Sequence, residues 1–402
     1  MHSLKVPTEI NLLGHDEQTL RLTRVYEGMR AVGLEAAIVR NLANIYYLTG
    51  RIYRGYIYLD TRIDGPRYFV RQPNHLTGRG VHMIRKPEEI PSRLEEEGIA
   101  IPAGIAIELD SVCYSESMRL AKAFHMQAPE DNLSPVMRRA RAVKTKFEQK
   151  LIRTSGIKHS LVYERIPHLY QEGMTDIEFQ IEIERASRLE GCLGIFRVGG
   201  DDMELFMGNV LTGENADTPS PYDFAMGGEG LDPSLPVGAN GTVIKPGIPV
   251  MVDVNGDYTG YMTDMTRCFV ANEAREEAVK ANQLSIEICK TLAAMMRPGV
   301  AAADLYKKAL SMAEEAGIAD SFMGHRSHAG FVGHGLGIEI NEAPVIAPRS
   351  RDILEAGNVI ALEPKFVIPG MGAVGIENTY IVGEEAPAER VTTAAEQIVL
   401  LD

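Results

Sequence analysis

The sequence predicts an α/β domain followed by a larger α+β domain assembled from two similar halves. Three observations carry this. Helical and strand patterns alternate before about residue 130. A stretch rich in proline and charge, MQAPEDNLSPVMRRARAVKT, breaks the periodicity near residue 140. Beyond it, a helix pair followed by an acidic β-hairpin occurs twice. The boundary therefore falls between two domains, 1–140 and 141–402, and a chain of 402 residues is long enough for two cores.

Taken in order, residues 17–33 read as a helix, with Leu20, Leu22, Val25, Met29 and Val32 on its apolar positions and Gly33 closing it. AAIVR is a buried strand, NIYYLTG follows, and RYFVR and GIAIEL are further strands. After the boundary, KTKFEQKLIRTSG begins a long helix. Another starts at Thr175, where Glu178 three residues on permits a capping box, and stops at Gly191. Residues 196–245 are weakly periodic and rich in Gly, Pro and Asp, the composition of a cover or pocket wall. IPVMVDVNGDYTGYMTDMTRCFV reads as a hairpin. Helices at 273–296 and 302–316 come next, ended by Pro298 and Gly317. A Gly/His-rich stretch and a second hairpin, VIALEPKFVIPGMGAVGIENTYIV, complete the pattern.

Composition narrows the function. Charged residues make up 24% and hydrophobic residues 45%, ordinary for a soluble protein, and the formal net charge of -14 repels phosphates and argues against nucleic acid. Cys113, Cys192, Cys268 and Cys289 are scattered and form no CxxC pair, which suits reduced thiols in a cytoplasmic setting. The start, MHSLKVPTEINLLGHDEQ, lacks the basic-then-apolar order of a signal peptide, and no apolar run reaches the roughly 18 residues of a membrane helix.

The acids of the two hairpins carry the chemistry. A two-residue loop centred on Tyr258-Thr259 places Asp253 opposite Asp264, with Cβ atoms about 5 Å apart. Like charges so placed repel, and their neighbours are apolar. In the second hairpin, a turn centred on Gly370 puts Glu363 opposite Glu377, again between apolar flanks. Buried unpaired carboxylates cost several kcal/mol, so the pairs call for cations. Two divalent ions balance four carboxylates, and hard oxygen donors with one or two imidazoles suit manganese, zinc, iron or cobalt. His334, in Gly333-His334-Gly335-Leu336-Gly337, is the natural nitrogen donor, and its glycines allow close backbone approach to a bound group.

These motifs resemble the creatinase / Xaa-Pro peptidase / methionine aminopeptidase superfamily, with the pita-bread fold, over essentially the whole chain. DVNGDYTGYMTDMTR looks like the first two ligands, GHGLGIEINEAP the third, LEP the fourth and GIEN the fifth. The resemblance implies a creatinase-type N-terminal domain and a pseudo-twofold C-terminal domain. It further implies two metal ions held by Asp253, Asp264, His334, Glu363 and Glu377. Metal-activated hydroxide would attack a small amide or peptide carbonyl, with Glu363 taking the proton. It also implies a homodimer, for whose contacts Arg51, Tyr53 and Arg54 are candidates.

The chain departs from the peptidase pattern. No histidine lies between His168 and His325, Gly330 stands four residues before His334, and Asn341 stands seven residues after it. His328 is the nearest substitute. Asn341 can donate a hydrogen bond but cannot shuttle a proton at neutral pH. Lys365, where the family usually has a small residue, is positioned to bind a substrate carboxylate. Small peptides or small molecules are the expected substrates. The alternatives are an enzyme on a small zwitterion, like ectoine hydrolase, creatinase or a dimethylsulfoniopropionate lyase, and an inactive peptide-binding module.

Overall fold

The structure is a computed structural model that describes residues 7–200, 206–222 and 224–402. Residues 1–6, and residues 201–205 and 223 of the expected cover, lie outside the described residues. The chain divides into two compact units, Met1–Arg141 and Ala142–Asp402.

The first unit contains α1 (His15–Ala31), β1 (Ala36–Val39), α2 (Leu42–Thr49), β2 (Arg54–Asp60), β3 (Arg67–Gln72) and β4 (Val81–Met83). It continues through α3 (Ile90–Glu96), β5 (Ala106–Ile107), α4 (Tyr114–Ala123) and α5 (Ser134–Ala142). Its sheet has the order β4-β3-β2-β1-β5. The side chain of Asn41 accepts from the amides of Ala43 and Asn44, which starts α2 within two residues of β1. NIYYLTG is thus the body of a helix, closed by Gly50 at φ 71°. The strand β2 was not anticipated, because Arg54-Gly55-Tyr56 lacks clean alternation. GIAIEL yields only the two-residue β5.

In the second unit, α6 (Lys146–Tyr163) and α7 (Asp176–Leu189) both begin with capping boxes, at Thr145/Glu148 and Thr175/Glu178. They pack on a sheet of β6 (Gly208–Thr212), β7 (Val250–Asp257) and β8 (Met262–Val270). The second half repeats the order with α8 (Glu276–Met295) and α9 (Ala302–Glu315). Its strands are β9 (Gly333–Gly335), β10 (Glu342–Ile346), β11 (Val359–Leu362), β12 (Lys365–Ile368), β13 (Gly372–Gly375), β14 (Asn378–Ile381) and β15 (Glu389–Arg390). A last strand, β16 (Val399–Leu400), returns to lie parallel to β8. The sheet orders are β16-β8-β7-β6 and β10-β9-β11-β14-β15, with β12 and β13 paired separately. This is the pita-bread arrangement the sequence predicts.

Helix α6 holds the first hairpin in place. Ser155 Oγ donates to the Tyr261 carbonyl at 2.7 Å, and Tyr163 Oη donates to the Val252 carbonyl at 3.2 Å. Between them lies His159, buried, with Nδ1 3.0 Å from Thr263 Oγ1. Burial, followed by the nearby Arg267 charge, lowers its pKa to about 3. The unfolded imidazole titrates near 6.5. The neutral form therefore supports the fold above that pH, and stability is lost as pH falls from about 6.5 toward 3, because only the unfolded chain takes the proton. His159→Gln should flatten the stability–pH curve in this window by about 1.4 kcal/mol per pH unit relative to the parent. Urea unfolding at pH 4.5 and 6.5 checks this, and parallel curves for the two proteins would contradict it.

Candidate metal centre

Asp253 lies on β7 and Asp264 on β8, but not directly opposite each other. Asp253 pairs with Thr266, and Asp264 with Asn255. The expected register is displaced by two residues because the connection is a four-residue loop, 258–261. Asp257 Oδ1 accepts the Gly260 amide there at 2.8 Å, and Gly260 takes φ 83°. A shift of two preserves side-chain parity, so both acids still share one face and lie diagonally.

In the second hairpin the expected register is continuous. Leu362 pairs with Asn378 in one ladder and Lys365 with Gly375 in the other. Glu363 and Glu377 occupy matching positions in the gap between these ladders. Their amides leave the hairpin: Glu363 N–H donates to the Val332 carbonyl at 3.0 Å, and Glu377 N–H to the Thr266 carbonyl at 3.1 Å. Ser285 of α8 ties the gap together, donating to the Pro364 carbonyl at 2.5 Å and accepting the Ile376 amide at 2.9 Å.

His334 is the central residue of β9, opposite Ala361 of β11. Its glycines serve the strands rather than a bound group. A Cβ at Gly333 would meet the Ala361 carbonyl oxygen at 2.4 Å, and one at Gly335 the Ala343 carbonyl oxygen at 2.3 Å. The His334 Nδ1 lies 3.1 Å from the Gly335 carbonyl, which can only accept, so Nε2 is the nitrogen left for an ion.

The five expected donors converge into two clusters, Asp264/His334/Glu377 and Asp253/Glu363/Glu377, each with donor atoms within 4.8 Å of one another. His334 Nε2 stands 3.4 Å from Glu363 Oε1 and 3.9 Å from Glu377 Oε1. Glu377 Oε1 is buried without a hydrogen-bond partner among the described residues. An orphaned carboxylate oxygen beside an imidazole fits a divalent cation, since burial without compensation is costly.

Lys365 requires a correction. It is fully buried and does not line the cavity in front of the acids, so it cannot receive a substrate carboxylate there. Its ammonium donates to Asp253 Oδ2 and Glu363 Oε2, both at 2.7 Å, and to Glu377 Oε2 at 3.4 Å. One of the two clusters thus already surrounds a cation of the chain's own.

The electrostatics follow from this placement. Burial raises the Glu363 carboxyl, but the Lys365 and His334 charges outweigh it and hold its pKa at about 2. Burial, then the Asp253 charge, lifts Asp264 to about 7. Burial, then the Asp264 charge, lifts Glu377 well above the carboxylate range. Burial pulls His334 down, but the Glu363 hydrogen bond and charge raise it to about 9. Burial likewise pulls Lys365 down, and the Asp253, Glu363 and Glu377 charges more than reverse this.

Residues the sequence reading did not single out position the donors. Thr266 Oγ1 donates to Glu377 Oε2 at 2.8 Å. Thr379 Oγ1 accepts the Asp264 amide and donates to the Asp264 carbonyl, both at 2.9 Å. Arg267, 1% exposed, donates to the Thr266 and Glu377 carbonyls at 2.7 Å. Thr266 and Thr379 each lie two residues from an acid, so strand parity could have found them.

A cavity of about 230 Å³ opens onto the acids, with Phe196, Phe224, Phe331, Ile340 and Val345 as its apolar wall. Phe196 and Phe224 come from the predicted cover. Asn341 also lines it, but both ends of its amide hold the backbone of Gly199, each at 2.7 Å. It therefore anchors the cavity wall rather than presenting a free donor. His328 is exposed, with Nε2 3.2 Å from the Asp320 carbonyl, and takes no part in this centre. In the first unit, Arg51 is occupied with the carbonyls of Pro7 and Glu9, and Tyr53 is buried. Arg54, of the three, is exposed.

Buried carboxylates from two strand pairs, joined by one imidazole behind a small cavity, define a metalloenzyme centre. The pattern for metallopeptidase family M24 matches residues 150–384, and that for the creatinase/prolidase N-terminal domain matches residues 21–143. The chain belongs to metallopeptidase family M24. It is 24% identical to a Xaa-Pro dipeptidase of Pyrococcus horikoshii over 386 residues, covering 94% of this chain and 98% of that protein. It is 26% identical to a putative dipeptidase of Bacillus subtilis, covering 95% and 99%. The solved Xaa-Pro dipeptidase of Bacillus anthracis superposes with a TM-score of 0.78 at 21% identity, covering 96% of this chain and 100% of that one. No described helix is long and apolar enough to cross a membrane.

Proposed function

We propose that the protein is a divalent-metal-dependent hydrolase of short peptides or small amides, with Xaa-Pro dipeptides first among candidate substrates. The observation that carries this is Glu377 Oε1, buried without a hydrogen bond among the described residues and 3.9 Å from His334 Nε2 at the floor of the cavity. The names of the relatives support the substrate class. Asp264, His334, Glu363 and Glu377 would hold the ion, and manganese, zinc, iron or cobalt each suit this donor set. When bound, such an ion polarises a carbonyl and acidifies water.

The chain's own residues do the rest. Glu363 is kept ionised at the cavity floor by Lys365, which suits it to hold a cation and makes it a weak base rather than the proton acceptor the resemblance implies. The phenylalanines exclude water and suit an apolar ring. The cavity is smaller than the roughly 300 Å³ at which ligand pockets usually begin, which favours small substrates. His334 is the one imidazole among the described residues lining it, and this supports a second reading, a small non-peptide zwitterion as substrate. A homodimer and a cytoplasmic setting belong to the same proposal, the first supported by the family resemblance and the second by the free cysteines.

The test is a panel of Xaa-Pro dipeptides and small zwitterionic amides, assayed after chelation and after return of manganese, zinc, cobalt or iron. Turnover of at least one compound should vanish on chelation and return with metal. Undiminished turnover in the chelated protein would contradict the proposal.

A further inference from the structure

The two donor clusters are not equivalent, and the difference lies in one side chain. The oxygens that would surround a second ion, on Asp253, Glu363 and Glu377, converge instead on the Lys365 ammonium. Each glutamate is divided between two partners. Its Oε2 faces the ammonium, and its Oε1 faces His334 Nε2. The ammonium cannot easily leave. Lys365 is fully buried, its backbone is fixed in the ladder opposite Gly375, and no other carboxylate contacts its Nζ within 4.0 Å among the described residues.

We infer that the centre holds one divalent ion rather than two, with the Lys365 ammonium permanently occupying the second cation position. The inference rests on the metal-dependent reading above and narrows it. The single ion is bounded by Asp264, His334 Nε2 and the Oε1 atoms of Glu363 and Glu377. An ion held by carboxylate oxygens sits at about 2.0–2.2 Å from them. Asp253 Oδ2 and Glu363 Oε2 cannot direct the same lone pairs to a second ion and to the ammonium 2.7 Å away. The ammonium and one divalent ion together supply three positive charges against four carboxylates, so a second divalent ion is not needed to offset them. Asp253 is therefore a partner of lysine rather than of metal, and Lys365 is a positioning residue that stands in for an ion.

The test is metal content per chain, by elemental analysis of the full-length protein after loading with manganese or zinc and removal of free metal. The parent should hold one ion. Lys365→Met, which keeps the length and removes the charge, should hold two. Asp253→Asn should still hold one, and Asp264→Asn none. Two ions in the parent, or loss of the ion from Asp253→Asn, would overturn the inference while leaving metal dependence standing. No ion in the parent would remove metal dependence and this inference together. Should Lys365→Met fail to fold by circular dichroism, the parent and Asp253→Asn measurements decide alone.

Discussion

An Asp264→Ala protein is expected to lose its bound ion and about a thousandfold or more of its metal-dependent activity. Metal catalysis supplies several kcal/mol of barrier lowering, and each 1.36 kcal/mol is a factor of ten. The same substitution should leave the metal-free fold nearly as stable as the parent. In the absence of an ion, Asp264 is a buried acid whose ionised form is disfavoured by burial and by Asp253, so its removal relieves a cost. The diagnostic readout is thermal: a ligand at a hundred times its Kd stabilises a fold by about 2.7 kcal/mol. Manganese or zinc should raise the melting temperature of the parent and leave that of Asp264→Ala unmoved. An equal rise in both would place the ion elsewhere.

Arg267→Met is expected to have the largest effect on the fold. The Arg267 guanidinium donates to the carbonyls of Thr266, Glu377, Ala394 and Ala395 and to Asn378 Oδ1, at 2.7–2.9 Å. Methionine fills the stem and takes the donor from the Glu377, Ala394 and Ala395 carbonyls in the interior, whereas the Thr266 carbonyl keeps the Glu377 amide and Asn378 Oδ1 keeps the Thr392 hydroxyl. Each stranded acceptor costs about 1–3 kcal/mol before relaxation, so a net loss of roughly 3–5 kcal/mol is expected in urea unfolding. One of those bonds holds the Glu377 carbonyl and another holds Thr266, whose hydroxyl donates to Glu377 Oε2, so metal affinity should fall about 10- to 100-fold, as for other residues that orient ligands. A loss under about 1 kcal/mol with unchanged affinity would contradict this role.

The donors were legible because acids in apolar strands are costly and therefore informative. Asp253, Asp264, Glu363 and Glu377 stand out against valine, methionine and alanine, and a two-residue or a four-residue loop leaves each pair on one face. The register of the first hairpin was not legible, since Asp257 and Gly260 form a loop that spacing alone does not distinguish from a two-residue turn. Lys365 was half legible. It lies two residues from Glu363, which places both on one face, but its identity suggests solvent until the ladder opposite Gly375 is seen to bury it. Asn341 was legible as a cavity residue. Its engagement with Gly199 was not, because the partner lies in the aperiodic region that also supplies Phe196 and Phe224. Strand β2 was missed for a local reason: Arg54-Gly55 obscures the alternation, and Gly55 is needed because a Cβ there would meet the Phe69 carbonyl oxygen at 2.1 Å.

The presence of an ion at this place is tested most directly by anomalous diffraction from crystals of manganese- or zinc-loaded protein. The account predicts a peak bounded by Asp264, His334, Glu363 and Glu377. A loaded crystal with no peak there, its carboxylates turned to solvent or closed on one another through shared protons, would contradict it.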